Sequence, residues 1–81
     1  MSETVTLYHS DGCHLCDKAR ETLLRLQAEL GFPYVEVDIT GDTALEATYR
    51  EWLPVVEVDG QRASVYHLDE AALRRRLLVT H

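Results

Sequence analysis

The amino-acid sequence predicts one α/β domain with a four-stranded mixed β-sheet flanked by three helices, in the order β-α-β-α-β-β-α. Apolar and polar residues alternate over residues 4–9 and 34–39, as in strands that bury one face. Between those segments, apolar residues recur every three or four positions up to residue 30, which is typical of an amphipathic helix. Asp59-Gly60 favours a two-residue turn, so the third and fourth strands are expected to form an antiparallel hairpin.

The first half of the chain predicts a strand, a helix and a second strand. The helix begins at Cys13 and ends where Gly31 takes the left-handed conformation and Pro33 forbids continuation. Because a helix connects them, the first two strands are expected to be parallel, with a right-handed crossover. The apolar stripe predicted for the helix consists of Leu15, Ala19, Leu23, Leu26 and Leu30. The apolar face predicted for the second strand consists of Val35, Val37 and Ile39.

The second half predicts a short helix, the hairpin and a last helix. Residues 43–52 contain good helix formers, with Asp42 as the expected N-cap and a Leu-Pro pair after them. The hairpin is expected over residues 55–65. The last helix is expected at 69–79, and its buried side is marked by Leu68, Ala72, Leu73 and Leu77.

Composition and charge exclude several classes of protein. The 81 residues suffice for one domain, residues 1–81, and not for two. With 14 acidic and 8 basic side chains the net charge is −6, so most of the surface would repel a nucleic acid. The basic cluster Arg74-Arg75-Arg76 falls in the last helix, where cations complement the negative helix end. No stretch approaches the roughly 18 apolar residues of a membrane span, and the start Met-Ser-Glu-Thr shows no export signal.

Cys13 and Cys16 have the most informative spacing in the chain. They are too few and too close for the disulfide framework of a small secreted protein. In a reducing compartment such a pair is catalytic or metal-binding, and the third alternative is a pair of inert buried thiols. A tetrahedral metal site needs two more ligands, and the nearby His9 and His14 do not have the spacing of a familiar zinc motif. A metal ion shared between two chains through Cys13 is an alternative that the sequence leaves open.

Two motifs resemble those of a known family. Cys-His-Leu-Cys at 13–16 lies between the first strand and the first helix, and Leu-Pro-Val-Val at 53–56 leads into the third strand. With the element order, they resemble the glutaredoxin branch of the thioredoxin-like superfamily, and more narrowly the small glutaredoxin-like proteins with a Cys-x-Leu-Cys active site. The resemblance covers nearly the whole chain. It implies a cis peptide bond at Pro54 beside the active cysteines and makes Leu53 and Pro54 substrate-binding residues, with Trp52 nearby as a substrate contact or a plain hydrophobic plug.

The two cysteines are expected to carry thiol–disulfide exchange. At a helix start, unpaired backbone N–H groups and the positive end of the helix dipole favour a thiolate, so Cys13 is the predicted nucleophile. Cys16, nearly one turn further on the same face, is the predicted resolving thiol. His14 would tune the pKa of Cys13 if its imidazole is protonated, and the alternative is a solvent-exposed helix residue without a role.

The sequence departs from typical glutaredoxins where those proteins bind glutathione. They carry a Gly-Gly pair, a small polar residue and an aspartate after the fourth strand, and many have a basic residue shortly before the first cysteine. Here the segment 64–67 reads Ser-Val-Tyr-His, whose side chains hinder the close approach that glycine permits. Lys18 and Arg62 are the cations that remain for a glutathione carboxylate. Glutathione and a protein dithiol both stay open as the electron donor.

The sequence therefore predicts a small cytoplasmic thiol–disulfide oxidoreductase that acts through Cys13 and Cys16 without a bound cofactor or metal. We expect a monomer whose partner is a disulfide-containing protein or a glutathione mixed disulfide, and which binds neither nucleic acid nor a membrane. Two alternatives from other classes remain at this point. One is a non-catalytic, redox-responsive binding module, and the other is a carrier of a metal or iron–sulfur cluster that uses Cys13.

Overall fold

The computed structural model describes residues 3–79, so residues 1–2 and 80–81 of the predicted domain lie outside the described part. The strands are β1 (Val5–His9), β2 (Tyr34–Asp38), β3 (Val55–Val58) and β4 (Gln61–Val65). The helices are α1 (His14–Leu30), α2 (Thr43–Tyr49) and α3 (Glu70–Val79), and a 3₁₀ turn at Arg50–Trp52 follows α2. The predicted order of elements is confirmed.

The strands form one mixed sheet in the spatial order β2-β1-β3-β4. β1 runs parallel to β2 and antiparallel to β3, and β3 and β4 are antiparallel. The turn between β3 and β4 is Asp59-Gly60, with φ of 51° and 80°. Two consecutive left-handed residues match the twist of a two-residue hairpin, which explains why an aspartate and a glycine stand there.

Helices α1 and α3 cover one face of the sheet and bury the main core. The core residues on that face come from β1, α1, β3, α3 and the loop before β2: Val5, Leu7, Ala19, Leu23, Leu26, Phe32, Val56, Val58, Leu73 and Leu77. On the opposite face, the ring of Tyr8 stacks on Tyr49 of α2 with 4.0 Å between centroids. The sheet is thus covered on both sides, and the C-terminal end of β1 leads into the loop before α1.

Three expectations about packing need correction. In the first turn of α1 the buried residue is Cys16, whereas Leu15 is 37% exposed, because the inward direction of that helix passes through Cys16 and Ala19. In β2, an edge strand, Val35 is exposed. The predicted helix at 43–52 is α2 plus the 3₁₀ turn, and none of its side chains is fully buried. Asp42 does cap it, since its Oδ1 accepts the Leu45 N–H at 3.1 Å.

Helix α1 has well-defined ends. Cys13 is its N-cap, and Gly31 is its C-cap with a left-handed φ of 77°. The Gly31 N–H donates to the Gln27 carbonyl at 2.8 Å, which satisfies a carbonyl that the last turn leaves unpaired. These ends fix the helix register and with it the position of Cys13 relative to the sheet.

Charged side chains join the outer surfaces of α1 and α3. Arg25 makes two hydrogen bonds with Glu70, at 2.6 and 3.1 Å, and Arg74 bonds both Glu29 and Glu70. Within the basic cluster, Arg74 therefore joins α3 to α1, whereas Arg76 lies in the last turn, as the helix-end interpretation requires, and donates to Gln61 of β4 at 3.3 Å. This corrects the expectation for Arg74.

We expect this cluster of ion pairs to make the free energy of unfolding decrease at acid pH. The hydrogen bond from Arg25 lowers the pKa of Glu70, and that from Arg74 lowers the pKa of Glu29, below the ordinary 4.5. A lowered pKa in the folded state gives stability that is present above 4.5 and is lost as the pH falls through the folded-state value. Urea unfolding at several pH values should show a smaller acid-induced loss for Glu70→Gln than for the wild type. Glu21→Gln, an exposed change on α1, is the control, and equal slopes in both variants would contradict the prediction.

Within residues 3–79, the structure contains no helix that is long and apolar enough to cross a membrane.

Candidate active site

The two cysteines lie at the start of α1 in different environments. Cys13 is the N-cap, in an extended conformation with φ −89° and ψ 105°, and its sulfur accepts the Cys16 N–H at 3.2 Å. It is partly exposed, whereas Cys16 is 2% exposed on the inner side of the helix. The two sulfurs are joined in a disulfide, with 5.2 Å between the Cα atoms. The outer sulfur is the one that a large substrate reaches first.

The loop that presents Cys13 is tied to the ends of β1 and β2. Gly12 has a left-handed φ of 76°, a conformation that glycine adopts without cost. The Cys13 N–H points back to the Ser10 carbonyl at 3.4 Å, and the Asp11 N–H donates to Thr40 Oγ1 at 3.0 Å. The second bond anchors the loop on the segment after β2, so that Cys13 is held at the C-terminal end of the central strand β1.

Leu53 and Pro54 lie at the same end of the sheet, because the antiparallel pairing places Val55, at the start of β3, beside Tyr8 near the end of β1. The Leu53-Pro54 peptide bond is cis, as the resemblance implied, and Pro54 is buried. Leu53 and Cys13 line a groove of about 340 Å³. The remaining residues of the groove come from the Cys13 loop, the segment after β2, helix α2 and the 3₁₀ turn: Ser10, Asp11, Thr40, Glu46 and Arg50. The structure thus brings together Cys13 and Leu53, two of the predicted site residues.

A second depression of about 190 Å³ lies on the other side of α1. Leu15 and Tyr66 line it together with the polar side chains of Lys18 and His67. The backbone N–H of Tyr66 donates to the Pro54 carbonyl at 3.1 Å and to the Trp52 carbonyl at 3.2 Å. Tyr66 therefore belongs to the active-site region. The sequence marked it only as part of the segment 64–67 that replaces the glycine pair of typical glutaredoxins, because no local signal marks a hydrogen bond between two distant segments.

Behind the site, a polar cluster lies on the α2 face of the sheet. Tyr49 donates to Glu57 of β3 at 3.1 Å while its ring stacks on Tyr8. The hydrogen bond with Tyr8, then burial and the Glu57 carboxylate, raise the pKa of Tyr49 above its ordinary value. The phenol therefore stays protonated, and Tyr8 packs on Tyr49 as a residue of β1. His9, the last residue of β1, accepts the Ile39 N–H through its carbonyl at 2.9 Å.

His14 is the first residue of α1 and is exposed. Its place beside the N-cap Cys13 leaves both sequence interpretations standing, a tuning group or a helix residue without a role. Among residues 3–79, no group of three or more histidine, cysteine, aspartate or glutamate side chains is placed to hold a metal ion. His9 and His14 do not converge with the cysteines into such a group.

We expect His14→Ala to lower the reactivity of Cys13 by about threefold, the size of an interaction between partly exposed charges. If the imidazolium stabilises the thiolate, its removal raises the pKa of Cys13 and leaves less thiolate at neutral pH. The rate of alkylation of the reduced protein by iodoacetamide, measured against pH, gives both quantities. Leu24→Ala, an exposed change further along α1 and outside both depressions, is the control. An unchanged pH profile for His14→Ala would leave His14 without a tuning role.

A four-stranded mixed sheet with a Cys-x-x-Cys pair at the start of its first helix defines a protein of thioredoxin-like fold with a thiol redox site. The family model described as glutaredoxin-like domain (DUF836) matches residues 4–78. The chain belongs to this glutaredoxin-like family.

Relatives and solved structures agree with this assignment. The chain is 37% identical over 75 residues to the uncharacterized protein Mb0520 of Mycobacterium bovis, with 86% of this chain and 77% of that protein covered. It is 36% identical to the structural-genomics target XcR50 of X. campestris, whose X-ray structure superposes with a TM-score of 0.75 over 93% of this chain and 96% of that one. A thioredoxin of Fasciola hepatica, 20% identical, shares the fold with a TM-score of 0.67 over 99% of this chain and 82% of its own.

Proposed function

We propose that this protein is a thiol–disulfide oxidoreductase in which Cys13 attacks the substrate disulfide and Cys16 resolves the mixed disulfide. The observation that carries the proposal is the asymmetry of the pair at the start of α1. Cys13 is a partly exposed N-cap, and Cys16 is buried one turn further along the helix. An attacking thiol must reach the substrate, whereas a resolving thiol has only to reach its neighbour.

The start of α1 supports a thiolate on Cys13 in the reduced protein. The first N–H groups of a helix have no partner in the helix, and the helix dipole adds a partial positive charge there. The Cys16 N–H already points at the Cys13 sulfur at 3.2 Å. Such a donor stabilises negative charge on sulfur and lowers the pKa of a thiol at this position. At neutral pH a larger share of Cys13 is then in the nucleophilic form.

The reaction runs in two exchange steps. The Cys13 thiolate attacks one sulfur of the substrate disulfide, a new S–S bond forms, and the other substrate sulfur leaves as a thiolate that takes up a proton. The Cys16 thiol then loses its proton and attacks Cys13, which forms the Cys13–Cys16 disulfide and releases the second substrate thiol. Two electrons pass from the protein dithiol to the substrate, and a thiol donor returns them.

Leu53 and Pro54 are proposed to bind substrate beside Cys13. Leu53 lines the groove together with Cys13, which supports this role, and the buried Pro54 sets the cis peptide bond that follows Leu53. Glutathione or a protein dithiol is proposed as the donor, with a disulfide-containing protein or a glutathione mixed disulfide as the partner. The protein is proposed to work as a monomer in the cytoplasm and to need no bound cofactor, since the exchange chemistry is carried by the two sulfurs alone.

A redox titration tests the proposal. The purified protein is equilibrated across a series of glutathione buffers, free thiols are trapped by alkylation, and the alkyl groups are counted by intact mass. We expect one reversible two-electron transition between the dithiol and the Cys13–Cys16 disulfide, whose midpoint gives the reduction potential. Reduction of insulin disulfides with dithiothreitol as donor then tests turnover.

The same measurements separate the alternatives. A reversible transition without any turnover would favour the redox-responsive binding module. Thiols that stay blocked against alkylation, together with bound metal in protein purified without chelators, would favour the metal or cluster carrier. Thiols that remain fully alkylatable in oxidising buffer would contradict the oxidoreductase.

A further inference from the structure

The backbone of Tyr66 is in a conformation that a tyrosine rarely adopts. Its φ is 64°, in the left-handed region where the Cβ atom meets the neighbouring backbone. The two hydrogen bonds from its N–H to the carbonyls of Pro54 and Trp52 hold it there. The active-site segment at 52–54 therefore fixes a residue in a conformation that glycine would adopt without strain.

The Tyr66 ring is not used to fill the core. It is 43% exposed and lies 5.8 Å from the ring of Trp52, which is itself 40% exposed. Leu15, another exposed apolar side chain, lines the depression next to Tyr66 and is the neighbour of Cys16 in the chain. A bulky ring that is kept in an unfavourable backbone conformation, and that contributes no core packing, points to contact with a molecule bound at the site.

The charges of the groove on the other side of Cys13 indicate the chemistry of that molecule. Asp11 and Glu46 supply two carboxylates to the groove, and its one guanidinium, Arg50, is bonded to Glu46 at 2.8 Å. A small ligand with several carboxylates would meet negative charge on this side. On the other side it would meet aromatic rings beside two cations, since Lys18 lines the depression with Tyr66 and the Arg62 guanidinium carbon lies 5.9 Å from the centre of the Trp52 ring. A polypeptide segment brings apolar side chains, which pack on the rings, and a neutral backbone, which the acidic groove does not repel.

Building on the oxidoreductase proposed above, we propose that Tyr66 makes the Cys13 site selective for disulfides of polypeptide chains over mixed disulfides of glutathione. An apolar side chain next to the substrate cystine packs on the platform formed by Tyr66 and Trp52. Glutathione offers a γ-glutamyl group and a glycine carboxylate at that place, and neither has an apolar side chain to bury against the rings. The exchange of bonds and electrons is the same for both substrates, so that only recognition differs.

The test compares two substrates with four proteins. Wild type, Tyr66→Gly, Tyr66→Phe and Leu24→Ala are assayed on insulin disulfides and on a glutathione mixed disulfide of a reporter peptide, with dithiothreitol as donor. We expect Tyr66→Gly to lower kcat/KM for insulin by about tenfold, as the loss of an apolar contact in a binding site does. The value for the glutathione mixed disulfide should stay or rise. Tyr66→Phe keeps the aromatic ring and should retain the wild-type ratio of the two kcat/KM values. Leu24→Ala, an exposed change elsewhere on α1, should leave both values unchanged.

The outcomes separate this proposal from the one on which it rests. Because glycine relieves the backbone at position 66, the Tyr66→Gly variant is expected to fold, and its thermal midpoint verifies this. If the ratio of the two kcat/KM values is unchanged, whether both values stay the same or both fall equally, the role of Tyr66 is overturned while the oxidoreductase stands. A wild-type protein that reduces neither substrate would instead overturn the oxidoreductase and the selectivity with it.

Discussion

The Cys13→Ser variant is expected to reduce disulfides no faster than the donor does by itself. The turnover rate of the protein should therefore fall by at least roughly a thousandfold. Serine keeps the size of the side chain and its capacity to cap α1, but its hydroxyl is not ionised at neutral pH and does not form a disulfide. The stability of the reduced protein should change little, because Cys13 is the partly exposed member of the pair. Turnover of insulin disulfides and the thermal midpoint, measured on the same preparation, separate the chemical effect from a folding defect.

Cys16→Ser is the matched variant, and it should fail at a different step. Cys13 would still attack, but nothing would displace the substrate, so a mixed disulfide should accumulate on Cys13. Intact mass after exposure to a disulfide reveals this adduct, and a reductant removes it. An adduct that forms on Cys16 in the Cys13→Ser variant, at the rate seen for Cys13, would reverse the two roles. The 2% exposure of Cys16 argues against that outcome.

The periodicity of the sequence was sufficient for the element order but not for every buried face. β1 and α1 were predicted because their apolar residues follow the periods of a strand and a helix. Leu15 fits the helical period as well as Cys16 does, and a pattern in which both residues are apolar does not choose between them. In β2, Val35 and Val37 share a face, but an edge strand buries less of each face than a central strand does, which leaves Val35 exposed.

The candidate site was predictable where it depends on local spacing. Cys13 and Cys16 follow from a motif at a helix start, and the cis Pro54 was implied by the resemblance. Tyr66 was noticed only as a bulky residue in place of glycine, because its conformation depends on hydrogen bonds to residues 52 and 54. Local periodicity does not reveal contacts between segments that are distant in the chain. Those contacts determine which side chains surround the cysteines.

Leu23→Ala is expected to lower the free energy of unfolding by about 2–5 kcal/mol, the usual result of truncating a buried leucine. Leu23 is fully buried in the core between α1, α3 and the sheet. The total stability of a domain of 81 residues is about 4–12 kcal/mol, so this change removes a large part of it. Urea unfolding of the oxidised protein measures the loss, with an unchanged dependence on urea concentration as the sign of a simple change in stability.

The next residue in the chain provides the control and connects this prediction to the active site. Leu24 is 46% exposed, and Leu24→Ala should change stability by no more than about 0.5 kcal/mol. Equal losses in the two variants would contradict the packing of α1 on the sheet. Cys16, Ala19 and Leu23 lie on the same buried face of α1, so the contacts that stabilise the fold also keep the resolving thiol beneath Cys13. A helix loosened by Leu23→Ala should therefore resolve mixed disulfides more slowly, even at temperatures where the variant remains folded.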